Sequence, residues 1–142
     1  YKNYKTYMKM VHRVLRDDGM FLLHTIGSNK TVYSTNPWTQ KYIFPNSMLP
    51  SIKQIAQATE GLFVMEDWHN FGTDYDKTLM AWFSNFDNAW GELKHIYDER
   101  FYRMWKFYLL TSAGMFRARE TQLWQVVFSK RGVPSGYLPI DR

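Results

Sequence analysis

Three short apolar runs, each separated from the next by a helical pattern, constrain the fold of this chain most strongly. They occupy residues 20–26, 62–68 and 122–129. Runs of this length bounded by turn residues are typical of buried strands, whereas apolar residues spaced three and four apart are typical of helices. The order helix, strand, loop, helix, strand, two helices and strand predicts an α/β fold.

The apolar spacing predicts four helices, which cover residues 2–17, 50–59, 74–97 and 101–116. The last two hold much of the aromatic content of a chain with 10 Phe, 10 Tyr and 6 Trp. Residues 28–50 contain three prolines and show no periodicity, so we expect a long ordered loop there. Residues 131–142 are predicted to be a tail. Three strands make a thin core for so many aromatics, and we expect part of a larger doubly wound sheet, with residues 20–26 as a central strand.

The composition excludes several classes of site. The chain has no Cys, which rules out disulfides, thiolate zinc sites, iron–sulfur clusters and a cysteine nucleophile. Its longest apolar run is the five residues 79–83, whereas a membrane-spanning helix needs about 20. The net charge of +5 favours anionic partners such as phospholipid headgroups or nucleic acid. Because the sequence starts with Tyr1 and not Met, we expect a piece of a longer chain.

Two of the four histidines lie at the ends of predicted strands. His24 lies near the end of the first strand, and ligands of open α/β sheets bind at the carboxyl ends of strands. A buried histidine satisfied by one hydrogen bond is an equally good interpretation. His69 lies beside Glu66 and Asp67, but residues on a strand alternate between faces, so only Asp67 shares a face with His69. This segment is therefore a weak metal motif.

The fourth helix and the segment after it carry a basic side, formed by Arg100, Arg103, Lys106, Arg117 and Arg119. These residues predict either an ordinary solvated face or a surface for anionic headgroups. No Gly-rich phosphate-binding spacing and no G-x-S-x-G motif is present.

Six short segments follow one another along the chain: LLHTIG (22–27), KYIFP (41–45), MEDWHNFG (65–72), DYD (74–76), FRAR (116–119) and QLWQV (122–126). Together they closely resemble the C-terminal part of bacterial cyclopropane fatty acyl phospholipid synthases, relatives of the mycolic acid cyclopropane synthases. The resemblance covers nearly the whole chain.

This resemblance implies a methyltransferase that uses S-adenosylmethionine (SAM) and has a class I, seven-stranded Rossmann-like sheet. The predicted strands would be its last three, with the final strand inserted antiparallel. Residues 1–142 would be the C-terminal portion of a single catalytic domain. The implied reaction transfers a methylene group from SAM to the cis double bond of an unsaturated phospholipid acyl chain, with bicarbonate as the base.

Three residues match the bicarbonate site of that family. His24 corresponds to the histidine that hydrogen-bonds the anion, Ile26 to the residue that offers its backbone, and Tyr75 to the tyrosine that donates its hydroxyl. A small oxyanion in an apolar pocket needs several donors, because an unpaired buried charge is very costly. The family's Gly-rich cofactor loop, an acidic residue, a bicarbonate-binding Glu and a Cys would all lie upstream of Tyr1. The resemblance therefore gives this chain no cofactor-binding residue, and we expect the chain alone to be inactive.

The implied partner is an unsaturated phospholipid, and the implied location is the cytoplasm, peripherally associated with the inner membrane surface. A homodimer of the full-length protein is compatible with the resemblance. A non-catalytic lipid-binding module that uses the basic and aromatic surfaces is the alternative from another class. Nucleic-acid binding rests only on charge and aromatics, and apolar stripes at helical spacing favour burial over base stacking.

Overall fold

The computed structural model describes residues 3–139. Within that range the chain forms five helices and three strands: α1 (Tyr4–Val14), β1 (Met20–Ser28), α2 (Pro37–Tyr42), α3 (Ile52–Thr59), β2 (Val64–Asn70), α4 (Gly72–Leu93), α5 (Glu99–Arg117) and β3 (Thr121–Ser129). The predicted α/β order is confirmed. No helix in the described range is long and apolar enough to cross a membrane.

The chain divides into two compact units. The first contains the residues up to Asn70 together with those from Leu123 onward, and the second is the segment Phe71–Gln122. The first unit therefore holds the sheet strands β1 and β2, nearly all of β3 and the helices α1 to α3. The second holds the long helices α4 and α5.

The three strands form one sheet in the order β1-β3-β2. Strands β2 and β3 pair antiparallel, with Trp68 opposite Val126 and His69 opposite Gln125. The last strand of the chain is thus inserted between the two earlier ones, as the resemblance implied. Within these three strands β3 separates β1 from β2 and leaves β1 at the edge. The expectation that residues 20–26 form a central strand concerns a larger sheet and stays a prediction.

One face of the sheet carries the core of the first unit. Ile55, Trp124, Val126 and Phe128 are buried there. The partly buried side chains that pack against them are Phe21, Leu23, Phe63 and Trp68. Each large apolar side chain that leaves water contributes about 1.5–3 kcal/mol, so this cluster provides much of the stability of the unit.

The two main helices of this unit begin at side-chain caps. Asn3 accepts a hydrogen bond from the backbone N–H of Thr6 at the start of α1. Ser51 and Gln54 form a reciprocal capping box at the start of α3, with distances of 3.2 and 2.9 Å. These caps satisfy N–H groups that have no partner within the helix.

Several predicted boundaries differ from the observed ones. Helix α1 ends at Val14, short of the predicted residue 17. The predicted loop contains the six-residue helix α2, which has Pro37 in its first turn and is too short to show a period. Strand β2 begins at Val64 because Gly61 has a φ of 71° and the N–H groups of residues 62 and 63 both bond back to Thr59. Helix α4 stops at Leu93, before the predicted residue 97.

The second unit is a helical hairpin whose two helices share a layer of aromatic rings. The Phe86 ring stacks on Tyr102 at 5.6 Å, and the Trp90 ring lies 4.8 Å from the same tyrosine. Phe101 stacks between Tyr97 and Trp105 at 4.3 and 6.1 Å. The aromatic stripes read from the sequence are therefore mainly packing surfaces, and such ring pairs add about 0.5–1.5 kcal/mol each.

Candidate functional site

His24 lies on β1, on the face opposite the core residues Phe21 and Leu23. Its side chain is exposed, whereas those two are partly buried. This alternation follows from the strand geometry, in which successive side chains point to opposite faces. The interpretation of His24 as a fully buried structural histidine is therefore wrong.

The imidazole of His24 contacts the side chain of Gln125 on the neighbouring strand β3. The amide Nε2 of Gln125 lies 3.3 Å from Nδ1 of His24. Gln125 is also opposite His69 in the pairing of β3 with β2. The three side chains thus form a polar row across the sheet, with Gln125 in the middle.

A cleft of about 440 Å³ opens beside this edge of the sheet. His24 lines it together with nine other residues, most of them apolar: Tyr4, Tyr7, Met8, Met10, Leu23, Thr25, Met48, Pro50 and Ile55. A largely apolar cleft with few polar groups is the usual form of a small-molecule site. His24 is therefore one of the few polar residues that line this apolar cleft.

Ile26 follows His24 by two residues on β1 and is partly buried. Its carbonyl oxygen accepts a hydrogen bond of 2.9 Å from the Thr25 hydroxyl. The structure thus brings His24 and Ile26 together on one strand and on the same face. Tyr75 belongs to the second unit.

Tyr75 lies in the first turn of α4 and is partly buried. Its ring meets Trp82 edge-on at 5.6 Å and Phe116 edge-on at 5.1 Å. Burial raises the pKa of Tyr75 above its ordinary value, and burial together with the neighbouring Tyr75 does the same for Tyr108. The Tyr75 hydroxyl therefore keeps its proton at neutral pH and remains a hydrogen-bond donor.

The residue after Tyr75 is tied to the end of α5. Asp76 accepts two hydrogen bonds from Arg117, of 2.9 and 3.0 Å, in a bidentate pair. Lys106 lies over the rings of Phe83 and Tyr102 at 5.5 and 5.6 Å. Arg119 donates a hydrogen bond of 3.1 Å to Oε1 of Gln122. Three of the five residues of the predicted basic side are therefore engaged within the second unit, which weakens that side as a surface for anionic headgroups.

The weak metal motif around His69 receives no support. The carboxylate of Glu66 accepts hydrogen bonds from the Ser129 hydroxyl and, at 3.0 Å, from the backbone N–H of Val133. Glu66 thus holds the segment that follows β3. In the described part of the chain, no group of three or more His, Asp or Glu residues could hold a metal ion.

The family model described as mycolic acid cyclopropane synthetase matches residues 1–126. The chain belongs to this family. It is 62% identical over 135 residues to the cyclopropane-fatty-acyl-phospholipid synthase of Escherichia coli strain K12, a match that covers 95% of this chain and 35% of that protein. The chain thus spans about a third of the length of this curated relative.

Solved cyclopropane synthases share the fold. The mycolic acid cyclopropane synthase CmaA1, solved with SAH and CTAB, superposes with a TM-score of 0.81 at 25% identity, over 92% of this chain and 50% of the other. The Mycobacterium tuberculosis cyclopropane synthase MmaA2 gives the same TM-score at 22% identity, over 90% of this chain and 50% of that one. This member of the family therefore has the fold of a cyclopropane synthase methyltransferase.

Gln125, which contacts the candidate site residue His24, is a residue that the sequence reasoning missed. It is the one polar residue in the run 123–128, which is otherwise apolar and buried. A polar side chain in the middle of a central strand must find a partner, and that requirement is a signal that the sequence already carries.

Proposed function

We propose that the full-length protein containing this chain transfers a methylene group from SAM to the cis double bond of an unsaturated phospholipid acyl chain, forming a cyclopropane ring. The observation that carries this proposal is the 62% identity to the Escherichia coli cyclopropane-fatty-acyl-phospholipid synthase across 95% of the chain. Residues 1–142 would be the C-terminal portion of its catalytic domain.

Bicarbonate is the proposed base, and the residues around His24 fit a small anion. His24 has an exposed side chain and is one of the few polar residues that line the largely apolar cleft, so a nearby oxyanion would find little competition from other polar groups. A hydrogen bond to a charged group is stronger than one between neutral groups, particularly where water is scarce. His24 would donate one such bond, and the backbone of Ile26 would offer a second.

Tyr75 is the proposed third donor to the anion. Its hydroxyl is protonated at neutral pH, as in any tyrosine, and burial raises its pKa further. Edge-on contacts with Trp82 and Phe116 restrict the ring. A ring held in this way donates its hydrogen bond with little loss of side-chain entropy. These contacts support a positioned donor in addition to a packing role.

SAM supplies the electrophilic methyl group when bound, and SAH, its demethylated form, is present in the CmaA1 structure. This chain lacks the Gly-rich spacings that cradle a nucleotide. We therefore assign SAM binding mainly to the part of the protein upstream of Tyr1. The residues of this chain would hold the base and provide apolar walls that exclude water from the reacting acyl chain.

The proposed substrate is a phospholipid in a membrane, so we place the protein in the cytoplasm at the inner membrane surface, as a homodimer or a monomer. The net charge of +5 favours anionic lipid. Exposed Trp82 and Phe107 on the helical hairpin, 47% and 52% accessible, offer apolar contacts. A non-catalytic lipid-binding module would use the same surfaces but would have no need for His24 at an apolar cleft.

Replacing Tyr75 by Phe in the full-length protein tests the site. The change removes one hydroxyl and keeps the ring, so packing is nearly preserved. Loss of a hydrogen bond to a charged group costs about 1.5–3 kcal/mol, which corresponds to about a 10- to 150-fold lower turnover on unsaturated phospholipid vesicles. The affinity for SAM should change little.

Two further variants complete this test. His24→Gln should also lower turnover, and the double variant should lose less than the sum because both donors serve one anion. Tyr33→Phe is the matched control, since Tyr33 is 74% exposed. Normal turnover in Tyr75→Phe at limiting bicarbonate, or a lower melting temperature with normal turnover, would contradict the assignment.

A further inference from the structure

Gln125 occupies an unusual position for a polar side chain. It lies in the central strand of the sheet, between Trp124 and Val126, which are 2% and 0% exposed. On its own face it is flanked by His24 on one neighbouring strand and His69 on the other. The residues on both sides of it in the strand are buried, and a polar side chain in such a place needs hydrogen-bond partners.

The contact with His24 has one direction when the amide nitrogen of Gln125 faces the ring, as it does here. The amide nitrogen Nε2 of Gln125 carries two hydrogens and no available lone pair, so it can only donate. Nδ1 of His24, 3.3 Å away, must then accept with its lone pair. A neutral imidazole carries one N–H, and with Nδ1 as acceptor the proton is on Nε2.

From this geometry we propose that Gln125 is a positioning residue for the cyclopropanation reaction: it holds His24 in the tautomer whose Nε2–H donates to the anionic base. The inference rests on the proposed function of His24. Without the Gln125 amide, Nδ1 of His24 loses the donor that faces it and can carry the proton, and Nε2 would then present a lone pair to an anion. A lone pair facing an anion repels it, so the donor at that place would be lost.

Gln125→Met in the full-length protein tests the proposal. Met has nearly the length and volume of Gln but donates no hydrogen bond. Gln57→Met, on the exposed side of α3, is the matched control for the same chemical change. Because one ordinary hydrogen bond is removed, turnover should fall about 3- to 10-fold in Gln125→Met. The KM for SAM and the turnover of Gln57→Met should stay near the wild-type values.

A second measurement reads the tautomer without any activity. The ¹⁵N chemical shifts of the His24 ring, assigned by the loss of their signals in His24→Gln, distinguish a protonated from an unprotonated nitrogen. We expect Nε2 to be protonated in the wild-type protein and the two tautomers to mix in Gln125→Met. Wild-type shifts in Gln125→Met would overturn the proposal, whether or not the protein is active.

A double variant separates positioning from a structural effect. If Gln125 acts through His24, Gln125→Met should lower turnover no further in a His24→Gln background. An equal further loss there would mean that Gln125 acts independently of His24, and the proposal would be wrong. A different result would separate this proposal from the proposed function. If His24→Gln has normal turnover, while Gln125→Met still changes the tautomer of His24, then His24 has no role in the reaction. The proposed role of Gln125 in the reaction would then fail as well.

Discussion

Gly27 of β1 packs directly against the ring of Trp124, and Gly27→Ala should be strongly destabilising. A Cβ atom added at residue 27 would lie 2.1 Å from Cζ3 of Trp124 and 2.4 Å from both Cε3 and Cη2. Carbon atoms in contact are normally about 3.5–4.0 Å apart, so the ring or the strand would have to move by about 1.4 Å or more.

The Trp124 ring has little room for such a movement. It is 2% exposed, and its ring meets that of Trp68 edge-on at 5.2 Å. Overpacking a well-packed core costs about 1–3 kcal/mol and occasionally more. Because the clash involves three atoms of a rigid ring, we expect a loss at the upper end of that range.

Urea unfolding of the full-length protein measures this loss as a lower midpoint at an unchanged slope. Gly114→Ala is the matched control, because it lies inside α5 with no atom within 4 Å of the added methyl group. That change should stabilise the protein by about 0.5–1 kcal/mol. Trp124→Phe removes the outer ring carbons, so the double variant should lose less than the sum of the two single ones. A Gly27→Ala protein as stable as the wild type would refute the reasoning.

Three further predictions follow from the charged contacts and from the proposed site. Arg117→Met breaks the bidentate pair with Asp76, in which the Arg117 side chain is 65% exposed and that of Asp76 17%, and should modestly lower the free energy of unfolding; unchanged urea unfolding would contradict this. A hydrogen bond from Lys130, with Arg131 nearby, lowers the pKa of Asp17 below its ordinary value of 3.8. The ionised carboxylate therefore stabilises the folded protein above that pH, and this stabilisation is lost as the pH falls through the lower pKa of the folded state. Asp17→Asn should flatten the curve of stability against pH in this acid range, and an unchanged curve would refute the prediction. The isolated 142 residues should bind SAM poorly in calorimetry, and micromolar binding would show that our assignment of SAM to the upstream part is wrong.

Local patterns predicted most of the fold. The order of strands and helices followed from apolar spacing, and the long helices α4 and α5 were found because their aromatic residues recur every three or four positions. The antiparallel insertion of β3 came from the resemblance, since spacing along one strand says nothing about its neighbours. Helix α2 was missed because six residues are fewer than two helical turns.

The missing parts of the site depend on contacts between distant residues. Gln125 and His24 are 101 residues apart, and Arg117 and Asp76 are 41 apart. A sequence pattern detects periodicity within one element, but it does not show which polar groups meet across a sheet or between two helices. For the same reason Arg117 was counted as part of a basic side although it is paired with a carboxylate.

The central claim is that the full-length protein builds cyclopropane rings on phospholipid acyl chains. The most direct test incubates it with SAM labelled in the methyl group and vesicles that contain both saturated and unsaturated phospholipids, followed by mass spectrometry and NMR of the acyl chains. We expect the label only in the unsaturated chains, each gaining one CH₂ group and losing its double bond, at a rate that falls in His24→Gln and Tyr75→Phe. Label in no lipid, or a methyl branch on a chain that keeps its double bond, would contradict the account.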